Sequence, residues 1–185
     1  TVNPTLPFVC VDHHRLSLTA FEEAVKLGYQ RPGLVLDPVI DGLIEGRFSA
    51  GFLMGQHQLP KRRWVPPYYA AASQDELPAS FQKWFDRYQP DIIFALYNNV
   101  KSWLEIMGKS IPGDVGLIQL EWRKDRPEWA GMNQHNDIAG QEAVNMLISR
   151  IHNGETGAPT FPVGTLVAAS WIPGKTVRQT PIFES

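Results

Sequence analysis

Short apolar runs alternate along the chain with segments whose apolar residues recur at helical spacing. Phe8 to Val11 predicts a strand. Leu18, Phe21 and Val25 then predict a helix, with Thr19-Ala20-Phe21-Glu22 placed as a capping box and Gly28 as its stop. Gly33 to Leu36 reads as a strand too apolar for burial on one face only. Phe48, Phe52 and Gly55 fall on one helix face, and Trp64-Val65 predicts a short strand that Pro66-Pro67 confines to an edge or a turn. Leu77, Phe81, Trp84, Phe85 and Tyr88 mark the clearest amphipathic helix. A strand through Ile92-Ile93-Phe94-Ala95-Leu96-Tyr97 follows, then a helix carrying Val100, Trp103, Leu104 and Met107. Val115 to Leu120 is a further strand. Asn136 or Asp137 caps a long helix through Ile138, Val144, Leu147, Ile148 and Ile151, closed by Gly154, and Thr165 to Ala168 is the last strand.

Strands that alternate with helices of this length predict an α/β fold, a parallel sheet with helices on both faces. Composition agrees: 185 residues with 43% hydrophobic and 19% charged content supply a core for one domain or two modest lobes. A formal charge of −2 offers no concentrated positive surface for nucleic acid. The basic triplet Lys61-Arg62-Arg63 reads as a solvated turn. The single cysteine, Cys10, sits in an apolar strand and cannot form an internal disulfide. No apolar run is long enough for a membrane span. The chain opens on Thr1-Val2-Asn3 rather than methionine, so no targeting segment is read from it.

Enzyme signatures are missing from the sequence. It has no Gly-x-Ser-x-Gly elbow, no Walker loop, and no Gly-x-Gly-x-x-Gly after a strand. The five histidines, His13, His14, His57, His135 and His152, do not fall at metal-ligand spacings. The expectation is therefore a non-enzyme without metal or cofactor. The strand ends carry a different set: Asp12-His13-His14, Asp37-Pro38, Asn98-Asn99 and Glu121-Trp122. Ligands of open parallel sheets bind beyond the carboxyl ends of the strands. Carboxylates and amides there, beside aromatics, suit a sugar or another neutral polyol. The same residues are also the natural helix caps, and composition leaves both readings open.

Taken in order, "PFVCVDHHRLSLTAFEEAVKLGYQRPGLVL", "EGRFSAGFLMG", "IIFALYNNV", "IPGDVGLIQLEW", "MNQHNDIAGQEAVNMLISRI" and "GTLVAASWIPGKTV" resemble the lactose-repressor (LacI) family of bacterial transcription regulators. The resemblance covers nearly the whole chain. It implies a periplasmic-binding-protein-like fold of type I, present in part. Residues 15–132 with 169–185 would form a C-terminal lobe, residues 1–14 and 133–168 would be remnants of an N-terminal lobe, and the helix-turn-helix would lie outside this chain.

The functional expectation is an effector-sensing portion, with a sugar as small-molecule effector, operator DNA reached through the missing N-terminal domain, a homodimer, no membrane and a cytoplasmic location. By carry-over, Arg47 clamps the effector, Asn98 contacts its hydroxyls, and Gln134 lies at the lobe crossover. Glu121 stands where the family has aspartate and would reshape the pocket. Asn99 also replaces an aspartate and is assigned the cap. Tyr69 and Trp122 are candidates for stacking on a sugar ring, with core packing as the ordinary alternative. Two other readings share the pattern. One is a periplasmic-type sugar-binding protein; the other is a flavodoxin-like hydrolase or transferase, which lacks its motifs.

Overall fold

The computed structural model describes residues 6–70 and 76–179. The expected lobe assignments of residues 1–5 and 180–185 lie outside them. Eight strands and six helices follow in the order β1 (Phe8–Val11), α1 (His13–Lys26), β2 (Pro32–Leu36), α2 (Pro38–Leu43), α3 (Arg47–Gln56), β3 (Tyr68–Tyr69), α4 (Ala79–Tyr88), β4 (Ile92–Ala95), α5 (Asn99–Ile106), β5 (Gly116–Gln119), β6 (Gly131–Asn133), α6 (Asn136–His152), β7 (Gly164–Val167) and β8 (Ser170–Ile172).

Two sheets result. The larger has six strands in the order β3-β2-β4-β5-β6-β8, and the smaller pairs β1 with β7. All pairings are parallel except β6 with β8. That exception has a topological cause. The chain leaves the large sheet after β6, passes through α6 and β7, and re-enters at the carboxyl edge, so β8 can only run backwards.

The alternation within each buried strand sorts its residues onto two faces. Leu34 and Leu36, Ile92 and Phe94, and Ile118 and Leu120 join Leu16, Phe21 and Phe52 from α1 and α3. Val35, Ile93, Ala95 and Leu117 join Phe81, Trp84 and Phe85 of α4 and Trp103 and Leu104 of α5. Every residue of β2, β4 and β5 is buried, which explains their unbroken apolar runs. On the first face Phe21, Phe52 and Phe94 meet edge to face at 5.5 to 6.1 Å.

Gly51 and Gly55, one turn apart on α3, let that helix approach α1 closely. A β-carbon at Gly51 would collide with the His14 carbonyl and lie 2.9 Å from Ser17 Cβ, and one at Gly55 would lie 2.6 Å from Phe21 Cδ1.

Several local expectations are corrected. The first helix starts at His13, ahead of the Thr19 box, because Asp12 directly after β1 accepts the Arg15 amide at 3.0 Å. Its buried face is Leu16, Ala20, Phe21 and Ala24, while Val25 is exposed. No strand forms at Trp64-Val65; a short 3-10 turn spans Lys61–Arg63, and the edge strand is Tyr68–Tyr69. Helix α2 and strands β6 and β8 had no expectation. His135, in a left-handed conformation, precedes α6 in the place assigned to Asn136 or Asp137.

The small unit is built differently. Helix α6 has no buried residue, and Ile138, Val144, Leu147, Ile148 and Ile151 are all exposed. Phe8 and Leu166 in the strand pair are exposed as well.

Candidate functional site

The carboxyl edge of the large sheet gathers two polar clusters. The first lies where α2 meets α3. Asp37 precedes α2 and accepts the Val39 amide at 2.8 Å, the arrangement of an N-cap. Asp41 is buried and accepts from the Ser49 hydroxyl at 2.5 Å, and that hydroxyl lies 3.3 Å from the Tyr69 hydroxyl. Arg47 opens α3 half-buried, its guanidinium 3.4 Å from Glu45. Its charge reaches Cys10 and His13 on the preceding segment. Burial first, and the Arg47 charge second, push the His13 imidazole below its ordinary range, against the opposing pull of Asp12 and Asp41. The His13 ring packs edge to face on Phe48 at 4.9 Å.

The second cluster closes around Asn98. Gln119, buried as the last residue of β5, donates through Nε2 to Asn98 Oδ1 at 3.0 Å. Arg126 donates to the same oxygen through Nη1. The Arg126 guanidinium also lies over the Trp129 ring, 5.5 Å from its centroid. Asn98 holds the N-cap position of α5, but its side chain makes no cap hydrogen bond, because its oxygen is already committed to Gln119 and Arg126. The expected division, with Asn99 as cap, is thus corrected: Asn99 is the first residue of the helix.

Glu121 follows β5 and pairs with Arg123 at 3.1 Å. Trp122 is held through its backbone amide to Met132 O at 2.9 Å, and its indole Nε1 is buried without a hydrogen bond among the described residues. Gln119, Glu121, Trp122, Arg123, Arg126 and Trp129 line a shallow depression beside this cluster.

Gln134 stands at the crossover between the two sheets, buried, and donates to Leu120 O at 3.0 Å. The structure therefore brings Asn98, Glu121 and Trp122 to one side of the edge and Arg47 and Tyr69 to the other, with Gln134 at the exit from β6. Sequence reasoning missed Gln119 and Arg126. A lone polar side chain inside the apolar run Val115 to Leu120 signals Gln119. Nothing local signals Arg126, which arrives through a loop of mixed charge. Among the described residues no group of three or more His, Cys, Asp or Glu side chains is placed to hold a metal ion. No helix of the described residues is long and apolar enough to cross a membrane.

No protein-family model and no curated protein matches the chain. Solved structures do. A LacI family transcriptional regulator from Enterococcus faecalis with bound ribose superposes with a TM-score of 0.75 at 17% identity, over 97% of this chain and 66% of its own. A periplasmic binding protein/LacI transcriptional regulator from Alkaliphilus metalliredigens complexed with D-xylulofuranose gives 0.72 at 20% identity, over 94% of this chain and 66% of its own. The transcriptional regulator CelR in its cellobiose complex gives 0.68 at 18% identity, over 92% and 54%. The chain thus has the periplasmic-binding-protein-like α/β fold of LacI-type regulators, and it spans between 54% and 66% of the length of these three structures.

Proposed function

We propose that this chain is the effector-sensing portion of a LacI-type transcriptional regulator and that its effector is a sugar. The observation that carries the reading is the polar carboxyl edge, with Asn98, Glu121, Trp122 and Arg47 on a fold whose solved counterparts carry ribose, D-xylulofuranose or cellobiose. Arg47 supplies a fork of donors, Asn98 donates through its amide nitrogen, Glu121 supplies an acceptor, and Trp122 and Tyr69 supply flat apolar contact. Residues 15–132 with 169–185 form the C-terminal lobe, and residues 1–14 and 133–168 belong to an N-terminal lobe. The exposed apolar residues of α6 and of the β1–β7 pair support this division, since parallel strands are ordinarily covered on both faces.

In the longer protein the effector lies between the lobes and favours one closure. A homodimer in the cytoplasm passes that bias to a DNA-binding N-terminal domain. The effector shifts the balance only by its difference in affinity for the two states.

The test is titration calorimetry on the longer protein, the chain together with its preceding segment, against ribose, xylulose, cellobiose and related neutral sugars. One sugar is expected to bind, and Arg47→Ala and Asn98→Ala are each expected to weaken it at least ~10-fold, about 1.4 kcal/mol, as for loss of a buried polar contact. Unchanged affinity in both variants removes the site assignment, and no sugar response removes the sensing reading. Operator-sized DNA added to the same protein separates a regulator from a periplasmic-type binding protein.

A further inference from the structure

Asn98 is exposed just beyond β4, yet its carboxamide is held by two donors from behind. Gln119, buried at the end of β5, donates to Oδ1. Arg126, on the loop after β5, donates to the same oxygen. The two donors differ in what they decide. A glutamine amide carries an acceptor as well as donors, so Gln119 by itself would fit either orientation of Asn98. A guanidinium has donors only, so the atom that faces Arg126 must be the Asn98 oxygen.

Arg126 is itself well anchored. Its side chain is 23% exposed, its guanidinium lies over the ring of buried Trp129, and its carbonyl accepts the Trp129 amide at 3.2 Å. Its ion pair with Asp125 is long, 3.8 Å, and that carboxylate is largely solvated, so charge pairing does not account for where the guanidinium sits. The contact that does is the one to Asn98. Turned away from both donors, the Asn98 nitrogen donates to no described residue.

We propose that Arg126 is a positioning residue, which holds Asn98 so that it meets a ligand as a hydrogen-bond donor only. The ligand atom opposite Asn98 is then an acceptor, a ring or ether oxygen or the lone pair of a hydroxyl whose proton points elsewhere. A free carboxamide would offer either end and would have to be ordered on binding; one locked by Arg126 is ordered beforehand. The inference rests on the sugar-sensing reading and adds to it a residue that acts on the sugar through Asn98.

The experiment titrates the longer protein by calorimetry with whichever of ribose, xylulose and cellobiose binds best. Asn98→Asp keeps the shape of the side chain and its two partners but has no proton to give, so it is expected to weaken binding as far as Asn98→Ala, about 10-fold. An accepting Asn98 would predict the opposite, because a carboxylate accepts better than a carboxamide. Arg126→Met is expected to lose about 5-fold while Asn98 is present and nothing further once Asn98 is alanine. Arg126→Lys, still a donor, should recover part of that loss. In the unliganded protein, nitrogen relaxation should find the Asn98 side-chain amide rigid in the wild type and mobile in Arg126→Met. Undiminished binding by Asn98→Asp overturns the donor assignment and leaves sugar sensing standing. Wild-type affinity in Arg126→Met, the same loss with and without Asn98, or an amide equally rigid in both proteins overturns the positioning role. A wild type that binds no sugar overturns the sensing reading and this inference with it.

Discussion

The two sheets use the same kind of strand and reach opposite outcomes. Strands β2, β4 and β5 are buried along their whole length, while in the β1–β7 pair only Val11 is buried. Composition does not separate them: Phe8-Val9-Cys10-Val11 is as apolar as Ile92-Ile93-Phe94-Ala95. The difference is cover. Helices α1 and α3 close one face of the large sheet and α4 and α5 the other, whereas α6 leaves the small pair largely open. An apolar strand is an offer of burial, and the packed neighbours decide whether it is taken up.

That contrast can be broken, beginning where the effect should be largest. Phe94→Ala removes the ring shared with Phe21 and Phe52, and urea unfolding should record a loss of about 3–5 kcal/mol. A loss under 1 kcal/mol would mean that the large sheet is not the stable unit. Gly51→Ala forces α3 away from the His14 carbonyl, and the expected loss is about 1–3 kcal/mol with α1 and α3 losing amide protection together. Ile148→Ser on α6 should change the stability of this chain by no more than about 0.5 kcal/mol, because the residue is already solvated. The same change in the longer protein should cost about 2 kcal/mol if the second lobe covers it. Equal effects in both would argue against that cover.

The smallest effect concerns His13. Its folded pKa lies below the ordinary 6.5, so the unfolded chain binds more protons in the window below that value. Its contribution to stability is full above pH 6.5 and is lost as pH falls towards the folded value. Comparing His13→Gln with wild type in pH-dependent urea titrations should show a shallower acid limb in the variant.

Legibility in the sequence followed the same division. Continuous apolar runs announced β2, β4 and β5, and the spacing of Phe81, Trp84 and Phe85 announced α4, because burial there is nearly complete and leaves a strong pattern. Strands β6 and β8 were not legible. Gly131-Met132-Asn133 is too short for a period, and its placement depends on the chain returning through β8. At the site, the strand-end positions of Asn98 and Glu121 could be read directly. The side chains that occupy Asn98 could not, because Gln119 and Arg126 reach it from 21 and 28 residues away. Asn98 illustrates the limit: a strand end says where a polar group stands and leaves open which partner holds it.

The pairing of β1 with β7 has a consequence for how the molecule assembles. The two strands are separated by nearly the whole chain, and closing so long a loop is entropically expensive for only four paired residues. The expense falls once the large sheet exists. Helix α1 begins two residues after β1 and packs beside β8, which follows β7 closely, so the folded large unit holds both strand ends near each other. The Asp12 amide already reaches Val167 O at 2.9 Å across that junction. The small pair is therefore expected to form after the large sheet, and native-state hydrogen exchange should find its amides opening before those of β2, β4 and β5.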